Sequence, residues 1–126
     1  MKVVILAGGK GTRLSEETNL IPKPMSLIGD MPIIWHIMQI FKQYKFKEFI
    51  ILSGYKSFKI KEFFENIYRY KSSIEIDTKK NSLKVLDNFS DDINIKIIET
   101  GKDTQTGGRI LRAKKFIGKD NFFLTY

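Results

Sequence analysis

Val3-Val4-Ile5-Leu6-Ala7-Gly8-Gly9-Lys10-Gly11-Thr12-Arg13 lies at the start of the chain. Its first five residues form a continuous β-prone apolar run, the pattern of a strand buried on both faces. The run then breaks into a glycine cluster. Gly8, Gly9 and Gly11 carry no side chain, so backbone N–H groups there can approach an anion closely. Thr12 adds a hydroxyl and Arg13 a rigid two-pronged donor suited to phosphate. In chemical terms this is a phosphate cradle. Two common glycine fingerprints do not fit it. The dinucleotide loop needs glycine where Leu14 stands, and the Walker loop needs Ser or Thr after its Gly-Lys, where Gly11 follows Lys10. A tight turn without a ligand is the other reading that these residues alone allow.

Working outward, the stretch to Pro24 has no clear period and reads as an irregular loop of the ligand-binding kind. Pro22 and Pro24 hold Lys23 in extended backbone, from which a lysine can return to the cradle as a second cation. Pro32 fits the first position of a helix, and Ile33, Ile34, Ile37, Met38, Phe41 and Tyr44 follow at helical spacing. Residues 48–53 form a second apolar strand ended by Gly54. A second helix carries Ile60, Phe63, Phe64, Ile67 and Tyr68 on one face. Ile74 and Ile76, then Leu83 and Val85, alternate at period two around residues 79–82, as in a hairpin. Ile93, Ile95 and Ile97 mark another strand. A second glycine-containing loop runs from Gly101 to Gly108, then a short helix with Ile110, Ala113 and Ile117, then the apolar run 122–126. Strands alternating with helices predict an α/β fold: a mostly parallel, Rossmann-like sheet with helices on both faces and a small β-hairpin insertion.

Composition limits the chemistry. The 126 residues are 42% apolar and 29% charged, as in a globular protein. There is no cysteine and one histidine, His36, which removes thiolate catalysis, Cys-ligated zinc and a His-rich metal site. His36 is expected to pack beside Trp35 in a structural role. No apolar run approaches the ~18 residues of a membrane span, so no membrane partner is expected. The chain enters its first strand without a signal-peptide cleavage pattern, so a cytoplasmic location is expected. The net charge of +8 comes from 18 lysines and four arginines against 14 acidic residues. The lysines are spread along the chain and read as a solvated surface, with no nucleic-acid recognition motif. Three of the arginines, Arg13, Arg109 and Arg112, stand beside glycine clusters, which favours a nucleotide or sugar phosphate over a polymer.

The segment Leu6-Ala7-Gly8-Gly9-x-Gly11-Thr12-Arg13-Leu14, followed by Pro22-Lys23-Pro24-Met25, resembles the signature of the sugar-phosphate nucleotidyltransferases. Further segments resemble the glucose-1-phosphate cytidylyltransferase branch. They are Pro32-Ile33-Ile34-Trp35-His36-Ile37-Met38, Ser53-Gly54-Tyr55-Lys56, and Thr100-Gly101 with Thr106-Gly107-Gly108-Arg109. The likeness runs in order through the whole chain but covers about the first half of a family member. It implies that residues 1–126 are the N-terminal nucleotide-binding part of a nucleotidyltransferase domain whose C-terminal half is absent. The terminal run at Tyr126 then reads as a core strand that the family continues with Gly-Asp-Gly.

The implied reaction is CTP + α-D-glucose 1-phosphate → CDP-glucose + pyrophosphate. UTP, dTTP or GTP as nucleotide, and a short non-catalytic nucleotide-binding module, are the alternatives. By the resemblance, Leu6, Ala7, Gly8 and Gly9 offer backbone contacts to the nucleotide. Lys10, Gly11, Thr12 and Arg13 wrap the triphosphate, with Arg13 stabilising the departing pyrophosphate. Lys23 neutralises charge at the reacting phosphates, and Thr104 and Arg109 help recognise the nucleotide. Arg112 carries two readings, a phosphate contact or a solvated helix arginine. Glu16 and Glu17 read as loop-surface residues, and Tyr55, Phe63 and Phe64 as core. The cofactor implied is Mg²⁺, held in the family by the aspartate of Gly-Asp-Gly and a second one further on. Neither belongs to this chain, so little or no transferase activity is expected of the 126 residues alone. A homo-oligomer is expected of the full-length protein. The sequence departs from the family pattern at Ile21, Leu27, Asp30, Leu111 and Ala113, changes expected to alter loop electrostatics without abolishing the cradle.

Overall fold

The computed structural model describes residues 1–9, 22–87 and 91–126. Four strands, β1 (Lys2–Ala7), β4 (Glu48–Ser53), β7 (Asn94–Glu99) and β8 (Phe122–Thr125), form one sheet in the order β7-β4-β1-β8. Every pairing in it is parallel. The connections carry helices α1 (Ile33–Gln43), α2 (Ser57–Lys71), α3 (Thr106–Arg112) and α4 (Lys114–Ile117). The α/β reading with helices on both faces therefore holds.

Period-two alternation sorts the strand residues between two cores. Val3, Ile5, Ala7, Phe49 and Ile51 point to one face, where they meet Ile34 and Met38 of α1 and Ile60 and Phe64 of α2. Val4, Ile50 and Leu52 point to the other, against Ala113 and Ile117. Both faces of the central strands β1 and β4 are covered, so their apolar runs are continuous, whereas edge strand β7 alternates, with Asn94 and Lys96 exposed and Ile95 and Ile97 half-buried. Each aliphatic side chain so buried contributes roughly 1.5–3 kcal/mol relative to exposure. In α1 and α2 the inward residues recur at the spacing of one helix face: Ile34 and Met38, then Ile60, Phe64 and Ile67.

Several local readings change. Pro32 is not the first helical residue but the N-cap of α1, with extended backbone at φ −69° and ψ 156°. Its register partner is Leu27 in a two-stranded antiparallel ribbon, β2 (Leu27–Ile28) with β3 (Met31–Pro32). Two-residue strands leave no period to read. His36 closes this ribbon onto α1, its Nε2 lying 2.9 Å from the Ile28 carbonyl oxygen. A carbonyl only accepts, so Nε2 carries the proton there. Trp35 sits edge-on to Phe63 and under the Lys71 ammonium, 4.4 Å from the ring centre. His36 and Trp35 thus take packing roles. β7 starts at Asn94, leaving Ile93 outside it. The second glycine loop ends at Gln105, because Gly107, Gly108 and Arg109 are already in α3. The helix after it is two short ones that meet at Ala113, the C-cap of α3 and N-cap of α4. The hairpin is present as β5 (Ile74–Asp77) and β6 (Ser82–Val85).

Candidate functional site

Register brings three strand ends level. Ala7 lies opposite Ser53, and Ser53 opposite Glu99, at the carboxyl ends of β1, β4 and β7. Gly8 and Gly54 follow directly, and Thr100-Gly101 follow Glu99. In parallel α/β sheets this edge is where ligands bind.

The guanidinium of Arg109 sits between these ends. Its Nη2 donates to the Gly8 carbonyl at 2.9 Å. Its Nη1 donates to Thr100 Oγ1 at 2.8 Å and to the Gly101 carbonyl at 2.6 Å. A longer contact of 3.4 Å reaches the Lys102 carbonyl. Arg109 is 5% exposed and Thr100 fully buried. Thr100 Oγ1 in turn donates to the Ser53 carbonyl at 2.8 Å, and the Thr100 N–H donates to the same oxygen at 2.9 Å. Arg109 thereby joins the end of β1 to the loop after β7, and Thr100 joins that loop to the end of β4. Burial pushes the Arg109 guanidinium below its ordinary value, Arg112 adds to this, and Asp103 opposes it. An arginine still keeps its charge under such conditions.

The glycines are needed by this arrangement. A Cβ on Gly8 would lie 2.2 Å from Arg109 Cζ. On Gly54 it would lie 2.5 Å from the Gly101 carbonyl oxygen and 2.6 Å from Arg109 Nη1. Gly101 has φ +94°, and a Cβ there would come within 2.4 Å of Arg112 Nη1. Close approach to an anion was the sequence argument for Gly8. The structure adds a second cause, the seat of a buried guanidinium.

Arg112 donates from Nη1 to the Thr100 carbonyl at 2.7 Å. Beyond the two readings the sequence offers, this bond makes it a second tie on the same loop. Thr104 stands against Gly101 and Gly108 at the turn into α3. Leu6 packs half-buried on the second core, Ala7 is in the first core, Gly8 is buried and Gly9 is exposed. Lys23, expected in extended backbone, instead starts a 3₁₀ turn (Lys23–Met25) on which it is exposed; the extended residue is Pro22 before it. Lys10, Gly11, Thr12 and Arg13, with Leu14, Glu16, Glu17 and Ile21, lie outside the described residues. Arg109, read as part of the second loop, reaches that loop from α3.

Two features had no clear sequence signal. Glu99, at the end of β7, accepts from Ser57 Oγ at 2.5 Å and pairs with Lys61 Nζ at 2.6 Å, fixing the first turn of α2 to the strand end. Only the Ser57–Lys61 spacing of one helical turn hinted at it. Tyr55, expected in the core, stands half-exposed at the rim with the Lys56 and Lys102 ammoniums 5.4 and 6.0 Å from its ring centre. Phe64 is in the core and Phe63 packs against it.

The Lys61 and Ser57 hydrogen bonds hold the Glu99 carboxyl below its ordinary value. A folded-state value below the unfolded one contributes stability above the unfolded pKa, lost as pH falls through the folded one. Glu99→Gln is therefore expected to flatten the loss of stability on acidification below about pH 4.5, measured as thermal midpoint against pH. An unchanged acid limb would contradict the role given to Glu99.

Among the described residues no three His, Asp or Glu side chains gather as a metal-ligand group. They do not fit the Mg²⁺ site that the resemblance implies, and no step through that ion is derived from them.

Comparison with known proteins agrees with this geometry. A probable glucose-1-phosphate cytidylyltransferase of Bacillus subtilis is 50% identical over 126 residues, all of this chain and 49% of the relative. The glucose-1-phosphate cytidylyltransferase of Salmonella typhimurium is 44% identical over 124 residues, 98% of this chain and 48% of the relative. The chain thus spans about half the length of the curated relatives it matches. Among solved structures, HddC from Yersinia pseudotuberculosis complexed with GMP-PN aligns at TM-score 0.63 and 26% identity, over 98% of this chain and 45% of that one. UDP-glucose pyrophosphorylase from Acinetobacter baumannii aligns at TM-score 0.70 over 98% and 44%, and at 19% identity shows the fold alone. The family model for nucleotidyl transferases matches residues 2–125, and with a glycine turn, a parallel sheet and a buried arginine all placed at its strand ends, the chain belongs to that family.

Proposed function

We propose that this chain supplies the nucleotide-binding part of an enzyme that converts CTP and α-D-glucose 1-phosphate to CDP-glucose and pyrophosphate. The observation that carries the reading is the set of three glycine-bearing strand ends held together by Arg109 and Thr100, beside the Gly8-Gly9 turn that opens the cradle. The choice of cytidylyl over other nucleotidyl groups rests on the relatives, two of which bear that name over nearly the whole of this chain.

In the reaction a phosphate oxygen of the sugar phosphate attacks the α-phosphorus of CTP. The new P–O bond forms as the bond to the β-phosphate oxygen breaks, and pyrophosphate leaves with that electron pair. No protein nucleophile is needed, so the work lies in positioning and in neutralising charge. Lys10 to Arg13 enclose the triphosphate, Arg13 favours the leaving group and Lys23 lowers the charge at the reacting phosphates. Thr104 and Arg109 shape the nucleotide side through the second loop. Mg²⁺, held by aspartates that the family carries beyond the stretch matched here, supplies further charge neutralisation when bound. No described helix is long and apolar enough to cross a membrane, and we place the reaction in the cytoplasm.

Incubating the 126-residue chain with CTP, glucose 1-phosphate and Mg²⁺ is expected to release little or no pyrophosphate. Steady release would contradict the division of labour proposed for the two halves.

A further inference from the structure

Tyr55 is the residue at the strand ends that the proposed reaction leaves without a task. Its N–H lies 3.5 Å from the Gly8 carbonyl, the oxygen that also accepts from Arg109 Nη2. The residue is thereby set beside the Gly8-Gly9 turn, half-exposed at the rim. Two ammoniums from different loops lie over its ring, Lys56 Nζ at 5.4 Å from the ring centre and Lys102 Nζ at 6.0 Å. Lys56 follows Tyr55 in left-handed backbone, φ 51° and ψ 42°, which is uncommon for a residue with a Cβ. Lys102 belongs to the loop after β7, and its carbonyl is 3.4 Å from Arg109 Nη2. One aromatic ring thus gathers cations from the ends of β4 and β7 next to the turn that follows β1. The negative face of the ring attracts an ammonium without removing its charge.

We infer that Lys56 and Lys102, held by the Tyr55 ring, are a further contact for the phosphates of the bound nucleoside triphosphate. The inference rests on the nucleotide reading above and adds residues to it. An ammonium is a compact charge with three donors and no acceptor. It suits phosphate oxygens and cannot accept from a base amino group, so these two lysines add affinity without choosing the base. Residues 54–57 and 100–105 carry the two lysines and one carboxylate, Asp103, whose charge bears on Arg109. The rim therefore adds positive charge to the cradle. Tyr55 is a positioning residue here, acting through the face of its ring.

The test is calorimetric titration of the chain and its variants with CTP, UTP and inorganic pyrophosphate, with thermal melts to confirm folding. The double change Lys56→Gln and Lys102→Gln should weaken CTP and pyrophosphate alike, by roughly 10-fold, the lower end for charge-assisted contacts. It should leave the ratio of CTP to UTP affinity unchanged. Tyr55→Phe keeps the ring and should bind as the wild type does, while Tyr55→Leu should fall between wild type and the double variant. A wild-type chain that binds no pyrophosphate overturns the inference, as does an unchanged pyrophosphate affinity in the double variant. A shifted CTP-to-UTP ratio also overturns it, by assigning the lysines to the base. Full affinity in Tyr55→Leu removes the positioning role. CTP binding that persists through these failures leaves the proposed function standing. Lysine-dependent pyrophosphate binding by a chain that ignores CTP would instead overturn the nucleotide reading and leave the two lysines as a phosphate site.

Discussion

Arg109→Met is expected to destabilise the chain by about 2–4 kcal/mol and to abolish CTP binding. The donors lost serve Thr100 Oγ1 and the Gly101 and Gly8 carbonyls, three acceptors at the buried junction of the strand ends. Hydrogen bonds from charged donors are worth about 1.5–3 kcal/mol each, and unsatisfied buried acceptors about 1–3. The contributions overlap, because one side chain makes all three and water can enter as the loop relaxes, hence a total near the upper end for single substitutions. Arg109→Lys should fall between, since an ammonium keeps the charge but lacks the planar fork that spans two loops. Gly54→Ala is a companion from the other side. Its Cβ would press on the Gly101 carbonyl and the guanidinium together, and overpacking of this kind costs about 1–3 kcal/mol. Denaturant midpoints read both effects. An unchanged midpoint in Arg109→Met would show that the guanidinium does not tie the loops.

Lys23→Ala should separate binding from folding. The side chain is exposed on a short turn set by its own backbone bonds, Met25 N–H to the Pro22 carbonyl and Ser26 N–H to the Lys23 carbonyl. Losing it should change stability by no more than about 0.5 kcal/mol. The affinity for CTP should fall roughly 10–100-fold, the value of one charge-assisted contact to phosphate. Calorimetric titration beside a thermal melt gives both numbers. A full-affinity Lys23→Ala would remove Lys23 from the site.

β1 and β4 were legible because they are buried on both faces and their apolar runs are uninterrupted, and β7 because Ile95 and Ile97 alternate with the exposed Asn94 and Lys96. β4 falls on the predicted residues 48–53. The hairpin was legible because alternation with a polar turn has few other readings. The β2–β3 ribbon was not, since two-residue strands held partly by the His36 contact carry no period. Nor was the extent of α3, because Thr106-Gly107-Gly108 has poor helix propensity and is helical only where the Arg109 bonds and the Ala113 packing hold it. At the site, composition pointed to Arg109 and to the glycines. It could not show that these are one structure, because contact between positions 8, 54, 101 and 109 is a product of strand order. The Ser57–Glu99–Lys61 cluster was hidden for the same reason, two of its members sharing a helix face and the third coming from another strand.

We propose that this chain binds a nucleoside triphosphate, and CTP above others, at the carboxyl ends of β1, β4 and β7. Titrating the wild-type chain with CTP, UTP, dTTP and GTP tests it directly, with the same series on Arg109→Lys as a control for location. Measurable CTP binding, weaker binding of the other three, and loss of the preference in the variant are expected. Equal binding of all four, or no binding by a chain that melts cooperatively, would contradict it.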